Sequence, residues 1–367
     1  INKSTERENL NMKKKLILVA LAAILVCNTM FTAVLAADKD TFTLISTEKS
    51  EALGGTVYRY RHGKTGAEVI YNDNNSETRE FVLGFKTPPT DSKGANHVLE
   101  HALFCGSEKY PTKNIMHYIQ NGSSSLRLNG ITADDCTYYL IQTQNATEYY
   151  NMIDVYLNGI FHPLFLTDEN IFRQQGIRIE YVDGAARYNG VVYNELRIKN
   201  LNTAENSVNF LADKLYRGIY GDTTPVFSAG GELADIKNLT YEDLLRVYNT
   251  YYIPSNSMTY LSGKQDIQKT LDALDIFFSE NTAKAPDISF DDTKQIPQNK
   301  LQEYNINETT KTVDIGFMSS GVPAAADPKE RFANEIVFDI IKQKMEEKTG
   351  LTNTYISGGN TGGIMTL

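Results

Sequence analysis

The chain has 367 residues, of which 41% are hydrophobic and 22% are charged. These values exclude a disordered or fibrous chain, and the length is sufficient for one large domain or for two domains with hydrophobic cores. The formal net charge is −9, with 36 Lys and Arg against 45 Asp and Glu. This balance disfavours nucleic acid as a partner, because phosphate binding requires clustered cationic side chains.

The amino-terminal region is typical of a secretory signal peptide. Met12 is followed by three lysines, by an apolar run at residues 16–26, and by small residues that end at Ala36. This order predicts cleavage after Ala36 or Ala37. The alternative is a membrane anchor, but the apolar run is short for a bilayer span, which needs about 20 residues. We therefore expect residues 1–37 to be upstream sequence plus signal peptide, and the protein to be secreted or extracytoplasmic without a stable membrane span.

Three cysteines are present, and Cys27 lies within the predicted signal peptide. The remaining two, Cys105 and Cys136, are too few for a disulfide scaffold and lack the Cys-x-x-Cys spacing of a structural zinc finger. Whether they form a disulfide or are two buried thiols stays open, because the sequence does not give their separation.

Hydrophobic periodicity predicts a mixture of strands and helices along the chain. Strands are predicted at residues 42–47, 56–61, 67–71, 79–85, 125–129, 135–142, 257–262 and 302–318. Helices are predicted at residues 96–104, 115–122, 146–161, 169–179, 191–209, 241–252, 267–279 and 328–348. Turns of suitable chemistry join the strands at 56–61, 67–71 and 79–85, which predicts an antiparallel meander.

The order of these elements lacks strict βαβ alternation, which indicates an α+β domain with an antiparallel or mixed sheet. Between residues 281 and 298 the composition shifts towards Pro, Asp, Thr and Lys, as is typical of a linker. We therefore expect a first, catalytic domain at 38–280, a linker at 281–300, and an incomplete second domain at 301–367. The second domain repeats the strand-then-helix start of the first.

The run His97-Val98-Leu99-Glu100-His101 carries the chemistry. Its two histidines are four residues apart in a predicted helix, so both imidazoles lie on one face and can reach one metal ion. Zinc accepts imidazole and carboxylate ligands, and a nearby carboxylate that is not a ligand can take a proton from water. The inverted metallopeptidase motif H-x-x-E-H has this pattern. The alternative is two helix-face histidines beside a carboxylate.

A third ligand has to come from another segment, and Glu195 is the best candidate. It lies in a predicted helix with apolar neighbours, where a buried and unpaired carboxylate would be costly. Metal coordination would remove that cost. The alternative is a solvent-facing helical glutamate, which is the commoner position of this residue type.

Several other short runs accompany the motif in order along the chain. They are Thr65-Gly66-Ala67 after His62, Thr87-Pro88-Pro89, Gly94-Ala95-Asn96 before His97, Cys105-Gly106-Ser107, Tyr110-Pro111, Val155-Tyr156-Leu157, Gly190-Val191-Val192-Tyr193-Asn194 before Glu195, Ser228-Ala229-Gly230-Gly231 and Pro254-Ser255-Asn256. Together, from about residue 56 to about residue 263, they resemble the pitrilysin/insulinase metallopeptidases. The Cys-Gly-Ser run and the long gap to the Asn-Glu pair are most similar to the presequence-protease branch.

The resemblance implies one zinc ion bound by His97, His101 and Glu195, with Glu100 as the general base. The implied fold is a layered sandwich in which helices pack on one face of a mostly antiparallel sheet, as in a mitochondrial processing peptidase-like metallohydrolase domain. A truncated second domain of the same kind is expected to follow it.

The resemblance also implies a peptide or unfolded polypeptide as substrate, added as a strand to a sheet edge near the site. Asn129 would hold the substrate backbone, and Gly130 follows at a position where the family usually has Ala. In the family a second half closes over the substrate. We therefore expect this sequence to be a fragment that works with a second half or a partner subunit.

These observations predict a zinc-dependent metalloendopeptidase. One alternative is a catalytically impaired fragment or a non-catalytic peptide-binding subunit. Another is a metal-dependent hydrolase of small molecules, and the edge-strand residues around Asn129 favour a peptide over that class of substrate.

Overall fold

The computed structural model describes residues 42–202, 223–288, 318–320, 328–350, 357–359 and 364–366. The predicted signal peptide, the end of the predicted helix at 191–209 and nearly all of the predicted strand at 302–318 lie outside these ranges. Among the helices that are described, none is long and apolar enough to cross a membrane.

Twelve strands are assigned within the described residues. They are β1 (Phe42–Ser50), β2 (Gly55–His62), β3 (Glu68–Asp73), β4 (Arg79–Lys86), β5 (Arg127–Thr132), β6 (Cys136–Thr143), β7 (Arg178–Val182), β8 (Ala185–Asn189), β9 (Ser257–Ser262), β10 (Met318–Ser320), β11 (Ser357–Gly359) and β12 (Ile364–Thr366).

Most of the described α-helices begin and end close to their predicted positions; the helix predicted at 169–179 ends early, and the predicted end of the helix at 191–209 is outside the described residues. In the described ranges they are α1 (Ala95–Leu103), α2 (Ile115–Gly122), α3 (Ala146–Phe161), α4 (Glu169–Gln175), α5 (Val191–Asn202), α6 (Tyr241–Tyr251), α7 (Ile267–Phe278) and α8 (Pro328–Thr349).

Seven strands form one mixed sheet in the order β1-β2-β3-β9-β4-β6-β5. The β3–β9 pair is parallel and the other five pairs are antiparallel. The predicted meander is therefore wrong at its last step, because β9 lies between β3 and β4. Short turns indicate sequential pairing, but a strand from nearly 200 residues later takes the central position, and no local pattern encodes that pairing.

One face of the sheet is buried, as the alternation along β4 shows. Phe81, Leu83 and Phe85 are at most 1% exposed, while the residues between them are half-buried. Helix α3 contacts β4, β6 and α7, and its buried residues include Tyr156 and Leu157. Burying a large apolar side chain fully contributes about 1.5–3 kcal/mol, so this packed layer stabilises the sheet.

The chain divides into two compact units that do not follow the linear order of the sequence. One contains residues 1–87, 99–172 and 241–287, and includes the seven-stranded sheet; the other contains residues 88–98, 173–240 and 288–367. The division falls within α1, after its first four residues. The linear boundaries at 38–280, 281–300 and 301–367 stay a prediction.

The predicted helix at 169–179 is too long by about one turn. Helix α4 ends at Gln175, and residues 178 and 179 instead begin the β7–β8 hairpin. Its two turn residues, Asp183 and Gly184, have φ values of 53° and 77°. An Asp-Gly pair with two positive φ values is a strong hairpin signal, and the helical interpretation overlooked it.

Candidate metal centre

Helix α1 presents its two histidines on the face opposite its buried side. Val98, Leu99, Ala102 and Leu103 are all 0% exposed, whereas His97 and His101 are half-buried. The apolar side chains thus fix the orientation of the helix. Both imidazoles lie on the other side, one helical turn apart.

The ring of His97 is oriented by a backbone carbonyl. Its Nδ1 lies 3.0 Å from the oxygen of Gly230. A carbonyl oxygen can only accept, so Nδ1 carries a proton, and in the neutral ring this leaves the lone pair on Nε2. This is the tautomer that a metal ligand needs at Nε2.

Two glycines allow that carbonyl to approach the helix. Gly94 and Gly231 have φ values of 80° and 91°, and a Cβ on either would lie 2.9 Å from the Cα of the other. Side chains here would force the two backbones apart. The sequence showed the glycine pair at 230 and 231, but it did not show that they face the histidine helix.

Glu195 is carried by α5, whose orientation comes from buried Val192 and Leu196. The helix begins after Gly190, which has φ 154° and would place a Cβ only 2.1 Å from the oxygen of Gly176. The Glu195 carboxylate is half-exposed, and its Oε2 lies 3.4 Å from His97 Nε2.

Three side chains meet in a group of metal-binding chemistry. His97, His101 and Glu195 each offer one ligand atom, and these atoms all lie within 4.8 Å of one another. Within the described part of the chain it is the one cluster of this kind. Zinc bonds of about 2.1 Å in a tetrahedral site place ligand atoms about 3.4 Å apart, and two imidazoles with one carboxylate form a known catalytic zinc set. The donor chemistry therefore fits zinc, and the 3.4 Å between His97 Nε2 and Glu195 Oε2 equals that ligand separation.

Glu100 lies on the same helix but has different surroundings. It is 8% exposed, and its Oε2 accepts a hydrogen bond of 2.7 Å from the hydroxyl of Thr132. Sequence reasoning predicted Glu100 but not Thr132, since a lone Thr in a strand carries no signal until the strand register is known.

Asn129 and Gly130 lie on β5, which is an edge strand of the sheet. Gly130 is buried and faces Glu100, since a Cβ added at this glycine would lie 2.8 Å from Glu100 Cγ and Oε1, whereas Asn129 is exposed. Successive side chains of a strand alternate in direction, so these two residues cannot face the same group.

The two cysteines outside the predicted signal peptide are free thiols in the structure. Cys105 is buried, and Cys136 is half-buried. Burial, together with neighbouring Asp135, raises the pKa of the Cys136 thiol to about 12. A thiol with so high a pKa is protonated at neutral pH, which makes it a poor nucleophile.

Two family profiles match the chain. The profile described as "Insulinase (Peptidase family M16)" matches residues 84–215, and the one described as "Peptidase M16 inactive domain" matches residues 238–361. The chain belongs to the insulinase family of peptidases. The first profile covers the histidine helix and Glu195, and the second shows that a further M16 domain begins before the chain ends. Named relatives place this insulinase-family chain in the presequence protease-like branch.

Protein HypA of Clostridium perfringens is 36% identical over 242 residues, which are 65% of this chain and 24% of that protein. Presequence protease 1, chloroplastic/mitochondrial, of Arabidopsis thaliana is 31% identical over 274 residues, 73% of this chain and 25% of that protein. The mitochondrial presequence protease of Debaryomyces hansenii is 36% identical over 226 residues, 60% of this chain and 20% of that protein. The chain thus spans at most about a quarter of the length of these relatives.

Proposed function

We propose that the protein is a zinc-dependent metalloendopeptidase that hydrolyses peptides or unfolded polypeptides. The observation that carries the proposal is the convergence of His97, His101 and Glu195, with the carboxylate of Glu100 on the same helix as both histidines. We assign the three ligand positions to one zinc ion and the general-base role to Glu100. Membership of a peptidase family supports the reaction class.

When bound, zinc supplies Lewis acidity, which polarises the scissile carbonyl and makes water a better nucleophile at neutral pH. Glu100 takes a proton from the attacking water while the water oxygen bonds to the carbonyl carbon. Glu100 then gives this proton to the amine nitrogen as the C–N bond breaks. Its low exposure favours this role, because little bulk water competes for the carboxylate.

We further propose that the substrate binds as an extra strand along β5. As an edge strand of the sheet, β5 has one side from which backbone groups can pair with a peptide. Asn129 and Gly130 belong to this strand, and the exposed Asn129 side chain is suited to hold a peptide group. A backbone-directed mode favours extended peptides over folded proteins as substrates.

Replacing the proposed base tests the assignment directly. Glu100→Gln removes the proton acceptor with little change in shape, so peptide hydrolysis should fall by about 10²–10⁴-fold while zinc stays bound. The assay uses a quenched fluorescent peptide and protein expressed from its complete reading frame, with zinc measured by chelator competition. Glu108→Gln, at an exposed glutamate in the following loop, is the matched control and should retain full activity. Undiminished hydrolysis by Glu100→Gln would refute the proposal.

The alternative of an impaired fragment or a non-catalytic peptide-binding subunit gains no support from the comparisons. It makes a different prediction for the same assay, since the wild-type chain would then bind peptide without cleaving it unless a second half is added.

We also propose that the protein works outside the cytoplasm, on the basis of the signal-like sequence that ends at residues 36–37.

A further inference from the structure

The carboxylate of Glu100 is held by two features of the edge strand β5. Glutamate has three side-chain torsions, and fixing such a side chain in one arrangement costs up to about 2 kcal/mol of conformational entropy. A base acts efficiently only when it is already aimed at the proton, so a catalytic glutamate benefits from neighbours that fix it before substrate arrives.

The first feature is a hydroxyl. The Oγ1 of Thr132 donates to Glu100 Oε2 at 2.7 Å, and within the described residues no second hydrogen-bond donor to this carboxylate is found. A hydrogen bond to a charged acceptor is stronger than a neutral one. Because it involves one oxygen only, Oε1 stays available to accept a proton.

The second feature is the missing side chain at position 130. A Cβ there would lie 2.8 Å from both Cγ and Oε1 of Glu100, and 2.9 Å from a ring carbon of Phe104. Residues 130 and 132 are two apart on one strand and therefore face the same way. On the side of β5 that faces Glu100, Gly130 thus leaves space for the carboxylate and Thr132 donates a hydrogen bond to it.

The end of β5 is itself well anchored. Thr132 pairs with Thr137 in the β5–β6 register, and the turn beyond it is closed by the Ala133 amide, which donates to the Cys136 carbonyl at 2.8 Å. The side chains of Thr137 and Thr87 are hydrogen-bonded at 2.8 Å. A donor on so constrained a strand end has a fixed position.

We propose that Thr132 is a positioning residue for the peptidase reaction, and that its hydroxyl, with the space left by Gly130, holds Glu100 in one rotamer. This inference rests on the proposed role of Glu100 as the base. The Thr132 hydroxyl donates to Glu100, so we expect it to act on the reaction through the glutamate.

The test replaces the hydroxyl by a methyl group. Thr132→Val keeps the shape and β-branching of the side chain, so kcat should fall by about 10–100-fold, the usual cost of losing such a supporting contact. KM and the zinc affinity should stay within about twofold of wild type, since the substitution leaves the backbone of β5 and the three proposed ligand side chains unchanged. Thr132→Ser restores the donor and should restore kcat. Thr47→Val, on the opposite edge strand β1, is the matched control and should change nothing.

Two further measurements separate positioning from a structural role. In the Glu100→Gln background, Thr132→Val should leave the residual rate unchanged, because the hydroxyl acts only through the carboxylate. Crystal structures of the metal-free proteins should show Glu100 in one rotamer in wild type and Thr132→Ser, and in several in Thr132→Val. If the Val variant folds poorly, the Ser and Ala variants provide the same comparison of donor present with donor absent.

Unchanged kcat in Thr132→Val would overturn the inference, and so would a Ser variant as slow as the Val variant. An equal loss in the Glu100→Gln background would do the same. These results differ from a failure of the proposed function, in which Glu100→Gln itself keeps wild-type activity. If Glu100→Gln is inactive and Thr132→Val is normal, only the positioning role is wrong.

Discussion

At the scale of single residues, the carbonyl of Gly230 determines which nitrogen of His97 is free to bind a metal. That carbonyl reaches the ring only because Gly94 and Gly231 approach each other with positive φ values. Neither glycine has a side chain that could bind a metal, yet their close approach places the carbonyl that orients the His97 ring. The site therefore depends on backbone conformation as well as on its three donor side chains.

Gly231→Ala should weaken zinc binding. The added Cβ meets the Cα of Gly94, and the positive φ at this position strains any L side chain, so the Gly230 carbonyl must move away from His97. Loss of such a supporting contact costs about 10–100-fold in metal affinity. Chelator competition followed by zinc release measures this change.

Gly184→Ala is the control for backbone strain. Gly184 also has a positive φ, but an added Cβ meets nothing within 4 Å, and it lies at the tip of the β7–β8 hairpin. This variant should lose stability without losing zinc affinity. Equal zinc affinities for Gly231→Ala and Gly184→Ala would contradict the proposed role of the Gly94–Gly231 contact.

The sequence alone was enough to propose the site residues whose pattern is local. His97, Glu100 and His101 form a local spacing, and Glu195 could be proposed from its surroundings. Thr132 and the Gly230 carbonyl could not be proposed from the sequence, because each reaches the site only when segments far apart in the sequence come together in the fold. Their roles as supports, like those of the ligands, are proposals that the experiments above test.

At the scale of elements, the start of the sheet contains an ion-pair cluster that couples β2 to β3. Glu68 accepts hydrogen bonds from Arg59 Nε at 3.0 Å and from an Arg61 guanidinium nitrogen at 2.7 Å. Burial raises the pKa of Glu68, but the bonds from Arg61 and Arg59 outweigh it, and the folded-state pKa lies below its ordinary value of 4.5. The charged form of Glu68 therefore stabilises the folded sheet.

This cluster makes a pH-dependent prediction. A depressed folded-state pKa contributes stability above the unfolded value of 4.5, and the contribution disappears as the pH falls through the lower folded value. Glu68→Gln should therefore lower Tm near pH 7 and approach the wild-type Tm at about pH 3. Melting curves across this range measure the difference. Glu51→Gln, at an exposed glutamate before β2, should match wild type throughout, and a Glu68→Gln deficit that persists at low pH would contradict the assignment.

Elements were more predictable than their pairing. The helix α3 at residues 146–161 and the strand β9 at 257–262 have the predicted bounds, because periodicity and flanking caps are local properties. The place of β9 between β3 and β4 was not predictable, since it joins segments nearly 200 residues apart. The β7–β8 hairpin was missed for a different reason: its Asp-Gly signal lay just beyond a segment whose helical interpretation ran too far.

At the scale of the whole molecule, the first residues of the predicted linker at 281–300 belong to the unit that contains the seven-stranded sheet, which extends to residue 287. The Ser255 hydroxyl donates to the Ala283 carbonyl at 2.8 Å and accepts from the Ala285 amide at 2.7 Å. The residues up to about 285 thus pack with the segment after α6. We propose that the linker proper lies within 286–300. Limited proteolysis should therefore cut there first, and a first cleavage between residues 281 and 285 would contradict this proposal.

The signal-like segment makes the prediction that concerns the whole chain. Protein recovered from the periplasm or culture medium of an expressing bacterium should begin at residue 37 or 38, because cleavage follows Ala36 or Ala37. Mass spectrometry of the amino-terminal peptide measures this. Leu21→Arg, which places a charge in the apolar run, should retain the uncleaved protein in the cell, whereas Leu21→Ile should be processed normally. An uncleaved wild-type protein would exclude the predicted signal.

The central position of β9 has a consequence for how such a chain folds during synthesis. The strand groups β1-β2-β3 and β4-β6-β5 meet only through β9, so the sheet stays in two parts until residue 262 has been made. Pairing at such sequence separations is slow, because the entropy of closing long loops precedes the contacts that compensate it. A polypeptide whose sheet closes late stays incompletely folded during much of its synthesis, which suits the export that we propose for this chain.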